Sequence, residues 1–402
     1  MVTSATQVEK GTGRVVTVGD WTVFGTELRR LREQQGMSVR QLGKQVLYDP
    51  SALSRFENGK RKPPADIVTR LDAALNAGGI LCALYESLSG PDPFTPHEAL
   101  QNRRYADQKL AGDLQAVLAD TRRLEDEIGS KLVLPVTVRH SKIATALARE
   151  ATSKARKPLV DAAAGWTQFH GWLNASLGRH DAAIHHYREA LELAEEAGNA
   201  DMVSTTLAMR GHVAWMAGDT SASIGLSQAA QRNPRNLSRT VLALAVQQEA
   251  RGLGMEGDMD GMESKLDTAT DLILLGDPDK PDAQYFYSDS FIRMQRGMAY
   301  RHARQWAKAI DALEHGLQGF DRKTLESEWA TWYVAELAWS YAGIGEPEKA
   351  ASLALRVVET GRKTPGSRLV GYMGELYQAM AKRYPGNASV AELGCAVDVH
   401  AA

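Results

Sequence analysis

Between Lys131 and Ala391 the 402-residue chain repeats a register of small residues, and internal recurrence constrains a fold more tightly than composition does. Gly171, Gly211, Ala250, Gly297 and Ala338 stand in one register, at intervals of 40, 39, 47 and 41 residues. Seven positions later come Gly178, Gly218, Gly257, Arg304 and Gly345. Five further on are Ala183, Ser223, Met262, Ala309 and Ala350, and seven beyond those Ala190, Ala230, Ala269, Gly316 and Val357. Small side chains at matched places let two successive helices approach closely, and the mostly glycine position between them marks a turn. Each helix pair buries its apolar face only against the next pair. The pattern predicts an all-α solenoid of five helix pairs.

This register resembles the tetratricopeptide repeat, and the first copy, GWLNASLGRHDAAIHHYREALELA from Gly171 to Ala194, matches it best. The intervals exceed that family's roughly 34 residues, which implies longer helices or longer loops between repeats. The resemblance implies a right-handed superhelix whose concave surface is lined by the first helix of each pair. On that surface it places Gln168 and Trp172, His212 and Trp215, Gln247 and Arg251, Met298 and Arg301, and Trp332 and Trp339. Such a set suits an extended peptide or a small ligand: amides bond a backbone, rings cover apolar groups, and Arg takes a carboxylate. The competing reading makes the tryptophans inter-helix core.

A second organised stretch runs from Ser38 to Lys62, SVRQLGKQVLYDPSALSRFENGKRK. Ser38 with Gln41 three residues on reads as a capping box that opens a helix. Asp49 followed by Pro50 repeats the start signal, because Asp accepts from free N–H groups and Pro fits the first helical position. The second helix ends at Gly59. Gly43 lets the two cross closely, and Val39, Leu42, Val46, Leu53 and Phe56 supply a shared core. A helix with Pro50, Ser51, Ser54 and Arg55 outward fits the major groove, where guanine offers Arg two acceptors.

From Phe24 to about Leu81 the sequence resembles the phage-repressor-like helix-turn-helix of bacterial XRE regulators, most specifically in SALSRFENGKRKP. The resemblance implies that Pro50, Ser51 and Arg55 face bases, that Asn58 and Lys60 hold phosphate, and that Arg32 bridges Glu57 as a structural pair. Leu47 stands where that family often has a turn Gly, and Pro50 replaces a common Gln or Arg, which moves base reading towards Ser51 and Arg55. With Arg40, Ser54, Arg61 and Lys62, these residues make up the expected DNA interface.

Charge agrees with that reading. Trp21 to Asp72 holds ten Lys and Arg against six Asp and Glu, a balance of +4, whereas the whole chain carries −2. A basic domain on an acidic body suits a protein held on DNA through one end. Two cysteines, Cys82 and Cys395, without CxxC spacing, point away from a disulfide scaffold or zinc site and towards the reducing cytoplasm. No apolar run nears the ~20 residues of a membrane span, and no secretory signal is expected.

The expected organisation is a disordered arm over 1–19, a five-helix DNA-binding domain over 20–88, a linker and long connecting helix over 89–130, repeats over 131–391 and a tail over 392–402. The connecting helix, from about His97 to Ile128, carries Leu110, Leu114, Val117 and Leu124 at helical spacing; pairing with its copy in a dimer is one reading, and a cap on the repeats the more economical one. Gly252, Gly254 and Gly257 spell GxGxxG, but no strand leads directly into them, so a dinucleotide site is set aside. GDPDKPD, Gly276 to Asp282, lacks the glycine of a calcium loop and reads as an exposed inter-repeat loop. His185 and His186 are adjacent and should diverge by about 100 degrees on a helix. No metal, cofactor or catalytic set is expected, hence no enzyme.

In domain order the chain resembles the RRNPP-type regulators. That resemblance implies a homodimer on a double-stranded operator, with repeats that sense a peptide or small molecule and mediate dimerisation. A docking scaffold without a small effector is the alternative, and an RNA- or protein-binding adaptor a third reading that Arg55, Asn58 and the Lys60–Lys62 run oppose.

Overall fold

The computed structural model describes residues 21–75, 77, 81–82, 85, 108–151, 153–278 and 280–398. The chain divides into two compact units, Met1–Glu98 and Ala99–Ala402. All regular structure among the described residues is helical.

In the first unit α1 (Thr22–Gln34), α2 (Val39–Gln45), α3 (Pro50–Glu57) and α4 (Ala65–Ala74) enclose a core in which Phe24, Leu28, Leu42, Leu53, Phe56 and Leu71 are fully buried. Each start signal does the job its chemistry suggests. The Gln41 N–H donates to Ser38 Oγ and the Ser38 N–H to Gln41 Oε1, at 3.2 and 2.8 Å. The Asp49 carboxylate accepts from the N–H groups of Ser51 and Ala52, with Pro50 at the first helical position. A Cβ on Gly43 would lie 2.9 Å from the Tyr48 carbonyl oxygen and 3.0 Å from Pro50 Cγ, so only glycine fits between the helices. Leu47 adopts φ 51°, the left-handed conformation that a glycine would hold without strain. The expected arm over 1–19 lies outside the described residues, as does most of the fifth helix, of which Leu81 is helical and buried.

In the second unit, α5 (Gln108–Ile128) and α6 (Ser130–Glu150) precede the repeats. Five pairs follow: α7 (Ser153–Ser176) with α8 (His180–Ala197), α9 (Ala200–Met216) with α10 (Thr220–Ala230), and α11 (Arg239–Glu256) with α12 (Met259–Leu274). The other two are α13 (Asp289–His302) with α14 (Trp306–Leu317), then, after the single turn α15 (Arg322–Leu325), α16 (Glu328–Ile344) with α17 (Pro347–Lys363). α18 (Leu369–Arg383) and α19 (Ala388–Asp398) close the stack.

The small-residue register falls on these pairs with a physical reason at each point. Its turn positions Gly178, Gly218, Gly257, Arg304 and Gly345 all have positive φ, between 59° and 94°, the arginine included. The following positions, Ala183, Ser223, Met262, Ala309 and Ala350, are buried, at 1% exposure or less. At the crossing points a Cβ on Gly171 would meet the buried Tyr187 ring at 2.7 Å, and one on Gly297 would meet Leu313 Cγ at 2.5 Å.

Several expectations are corrected. The end of the chain beyond residue 391 is not a tail: α19 continues to Asp398, because Val390 and Leu393 bury against the preceding helices. α5 packs on α6 and α7, burying Ala111, Leu114 and Leu118, but two residues of its expected apolar face, Val117 and Leu124, stay exposed. Its described part begins at Gln108, so the stretch from His97 lies outside the described residues. Gly252 and Gly254 sit inside α11, where a Cβ would strike Ile224 or Met262, and only Gly257 is a turn residue. GxGxxG is thus helix packing followed by a C-terminal cap.

The longest interval, 47 residues, contains an inserted loop between α12 and α13. The Asp277 carboxylate accepts from Thr240 N–H and Oγ1 at 2.8 and 2.7 Å, and the Lys280 ammonium donates to the carbonyls of Tyr285 and Tyr287. These bonds fix the three aromatic residues that follow, Tyr285 to Tyr287.

Candidate DNA interface and candidate ligand cavity

The outer face of α3 is built by what the helix buries. Ala52, Leu53, Phe56 and Glu57 turn inward, which leaves Ser51, Ser54 and Arg55 exposed and Pro50 half-buried. Beneath them the Arg32 guanidinium donates twice to Glu57, at 2.6 and 2.9 Å, and once to the Met37 carbonyl. The Glu57 hydrogen bonds hold the Arg32 pKa above its usual value, so this ion pair is structural and offers DNA nothing. Asn58 is engaged within the domain: its amide donates to the Ser54 carbonyl and its oxygen accepts from Arg29, both at 2.7 Å. Arg29, which sequence reasoning missed, therefore flanks the end of α3. It lies three residues before Arg32 on the same helix, a spacing that could have flagged it. Arg40, Lys60, Arg61 and Lys62 are exposed, with Arg61 over the Phe56 ring and Lys62 between Trp21 and Tyr85.

In the second unit a cavity of about 580 Å³ opens among the first helices of the pairs, α7, α9, α11, α13 and α16, with α5, α18 and the inserted loop completing its wall. Eight expected residues line it: Gln168, Trp172, His212, Trp215, Gln247, Arg251, Met298 and Trp332. Arg301 and Trp339 do not. They stack on each other at 4.9 Å beside the wall, because Arg301 is drawn to Glu336, 2.9 Å away. The register explains how the lining is assembled. The residue after each crossing point meets its counterpart in the next repeat: Trp172 lies 6.2 Å from His212 between ring centroids, His212 Nδ1 accepts from Arg251 at 3.0 Å, and Arg251 reaches Met298 Sδ at 2.8 Å.

Residues that sequence reasoning did not single out complete the wall. Arg122, Glu125 and Asp126 come from α5, Tyr285 to Tyr287 from the inserted loop, and Tyr333, Glu336 and Tyr372 from the last repeats. Burial raises the Glu125 carboxyl to about 7, helped by Asp126 and Glu328 nearby, and raises Asp126 to about 6 although it accepts from the Tyr285 hydroxyl. Burial lowers the Arg122 guanidinium to about 10. His212 falls to about 3 and His302 to about 4 for the same reason, so both imidazoles are neutral and one ring nitrogen of each can accept. Buried polar atoms without hydrogen-bond partners gather here: Trp215 Nε1, Gln247 Nε2, Arg251 Nε, Gln284 Oε1 and His302 Nε2.

Elsewhere, His185 and His186 do not diverge as expected. With Glu189 their ligating atoms lie within 4.8 Å of one another, since the imidazoles swing across the angle between neighbouring Cα atoms, and His170 stacks on His186. No described helix is long and apolar enough to cross a membrane.

A family model described as a helix-turn-helix domain matches residues 23–84. No curated protein matches the chain. Among solved structures the chain is similar to Bacillus thuringiensis PlcR in complex with the peptide PapR7 and DNA. The identity is 14%, the match covers 81% of this chain and 99% of that one, and the TM-score is 0.34. The first unit is thus a DNA-binding helix-turn-helix domain, followed by a helical-repeat unit.

Proposed function

We propose that the chain is a sequence-specific transcriptional regulator that binds its operator as a homodimer and whose helical-repeat unit senses a small ligand. One observation carries the sensing role: a cavity within the size range of small-molecule sites, walled by aromatic rings and by residues whose buried polar atoms lack hydrogen-bond partners. A repeat unit that served only to dock macromolecules would have no use for unpaired polar groups in an enclosed site, because each weakens the fold. Arg55 is the residue proposed to read bases, Ser51 and Ser54 assist it, and Arg40, Lys60, Arg61 and Lys62 hold phosphate. The ligand changes operator affinity by as much as its own affinity differs between the DNA-bound and free states.

The test uses the full chain and a cell extract split by size. The small-molecule fraction should raise the thermal midpoint and change affinity for an operator selected from random DNA. A response confined to the macromolecular fraction would replace the sensor with the docking scaffold, a reading favoured by the exposed apolar side chains of Leu124, Ile128, Leu132 and Val136 around the α5–α6 turn.

A further inference from the structure

Arg251 is an uncommon residue to find in this position. It sits on α11 at 3% exposure, and among the described residues no carboxylate lies within 4 Å of it. Its hydrogen-bond partners are all neutral: His212 Nδ1, Gln295 Oε1, Gln248 Oε1 and Met298 Sδ. The Trp215 ring face, 4.7 Å away, adds a cation–π attraction. Guanidinium does not shed its proton to escape burial, and an unpaired buried ion costs several kcal/mol. The neighbouring Arg301 shows the ordinary solution, because it also lies on a tryptophan but has Glu336 at 2.9 Å. Glu336 is the one carboxylate whose charge acts on Arg251, and that ion pair already occupies it.

The unpaired donors beside Arg251 point the same way. Arg251 Nε, Trp215 Nε1 and Gln247 Nε2 are buried N–H groups of the cavity wall without acceptors. A carboxylate has two oxygens that take several N–H bonds at once, and its pairing with a guanidinium is the strong, short form of that bond. A phosphate dianion fits less well, since Glu125, Asp126, Glu328 and Glu336 share the lining. Apolar groups for the ligand body stand in the same wall: Phe286, Phe291, Trp332 and Leu244.

We infer that the ligand of this cavity is an organic monocarboxylic acid with an aromatic or aliphatic body, its carboxylate seated on Arg251 and its body among the rings. This rests on the sensor reading above and names the chemical class that the sensor takes. Among the described residues Arg122 is the other buried cation without an ion pair, but Glu125 and Asp126 lie within one turn of it on α5, so its surroundings are already acidic.

The experiment measures thermal midpoints of the full chain with the small-molecule fraction in three forms: untreated, treated with acidic methanol to esterify carboxylates, and treated with phosphatase. Wild type, Arg251→Met and Arg122→Met are compared, each checked for helical content. Stabilisation should survive phosphatase, vanish on esterification, and be lost in Arg251→Met but retained in part by Arg122→Met. Half-maximal stabilisation of Arg251→Met should need on the order of 100-fold more of the untreated fraction, as expected for a lost charge-assisted bond. Without any fraction, Arg251→Met should melt no lower than wild type, which separates a binding role from a structural one. Stabilisation that survives esterification, or that phosphatase removes, overturns the carboxylate while leaving the sensor standing. Loss in Arg122→Met with retention in Arg251→Met overturns the seat. No stabilisation of wild type by the untreated fraction overturns both readings.

Discussion

The acidic corner of the cavity makes the stability of the repeat unit depend on pH in a direction that can be fixed in advance. Glu125 and Asp126 are consecutive on α5, Glu328 approaches from α16, the Tyr285 hydroxyl and Ser130 Oγ donate to the pair, and Arg122 stands one turn away. Burial dominates, and lifts Glu125 from 4.5 to about 7. A carboxyl raised by folding binds its proton more tightly folded than unfolded, so stability is fully present below the unfolded value near 4.5 and falls as pH rises to the folded value near 7. A tenfold difference in proton affinity between the two states is worth about 1.4 kcal/mol, which puts the ceiling at roughly 3 kcal/mol. Glu125 is only half-buried and titrates together with Asp126, so on the order of 2 kcal/mol is expected. Replacing Glu125 with Gln keeps the shape of the protonated form and removes the titration. Urea unfolding followed by tryptophan fluorescence isolates the repeat unit, because seven of the eight tryptophans lie between Trp166 and Trp339. At pH 5 Glu125→Gln and wild type should differ little; at pH 8 the variant should be more stable by about that amount. A gap that stays constant with pH, or that favours wild type at pH 8, would refute the assignment of burial as the cause.

Arg55→Ala should abolish operator preference while sparing most nonspecific binding, and Lys60→Ala should weaken both and reduce the salt slope by about 1, measured by titrations across a salt series; equal losses on operator and random DNA for Arg55→Ala would end its base-reading role. Glu57→Gln leaves Arg32 buried without its carboxylate and should lower the stability of α1 and α3 by about 3 kcal/mol or more, read by hydrogen exchange of their amides. A loss under about 0.5 kcal/mol would mean that Glu33, 3.3 Å from Arg32, or solvent takes over. Gly171→Ala should destabilise the repeat unit by about 1–3 kcal/mol through the Tyr187 ring, whereas Gly112→Ala, with open space around it, should be neutral or gain up to about 1 kcal/mol from helix propensity. The same sign for both would undo the close-packing argument.

The helix pairs and the capped helices of the first unit were legible because each rests on a local steric rule. Gly171, Gly297 and the turn glycines leave no room for another side chain or need a positive φ, and the register was strong enough to mark Arg304 as a turn residue despite its side chain. Ser38, Gln41 and Asp49 each satisfy N–H groups within three residues, so their partners lie in the same few letters of sequence. The cavity wall contributed by α5 was not legible. Its apolar spacing shows which face packs, but Arg122, Glu125 and Asp126 gain their environment from helices some 40 to 200 residues away. The inserted loop left only a trace, the 47-residue interval, and nothing in GDPDKPD announces that it anchors three aromatic residues in a wall.

The same limit governs the central inference. Arg251 and Arg301 read alike in the sequence: both lie in the first helix of a repeat, and both belong to one expected surface. Folding separates them through a single residue, Glu336, which α16 brings beside Arg301 and leaves out of reach of Arg251. One arginine thereby becomes part of the scaffold, and the other keeps its charge for whatever enters the cavity. Moving the carboxylate tests that division directly: Gln295→Glu places an acid on the group that now accepts from Arg251. The variant should gain stability without ligand, since it pairs a buried cation, and should lose its response to the small-molecule fraction. If it responds as wild type does, the charge of Arg251 was never what the ligand recognised.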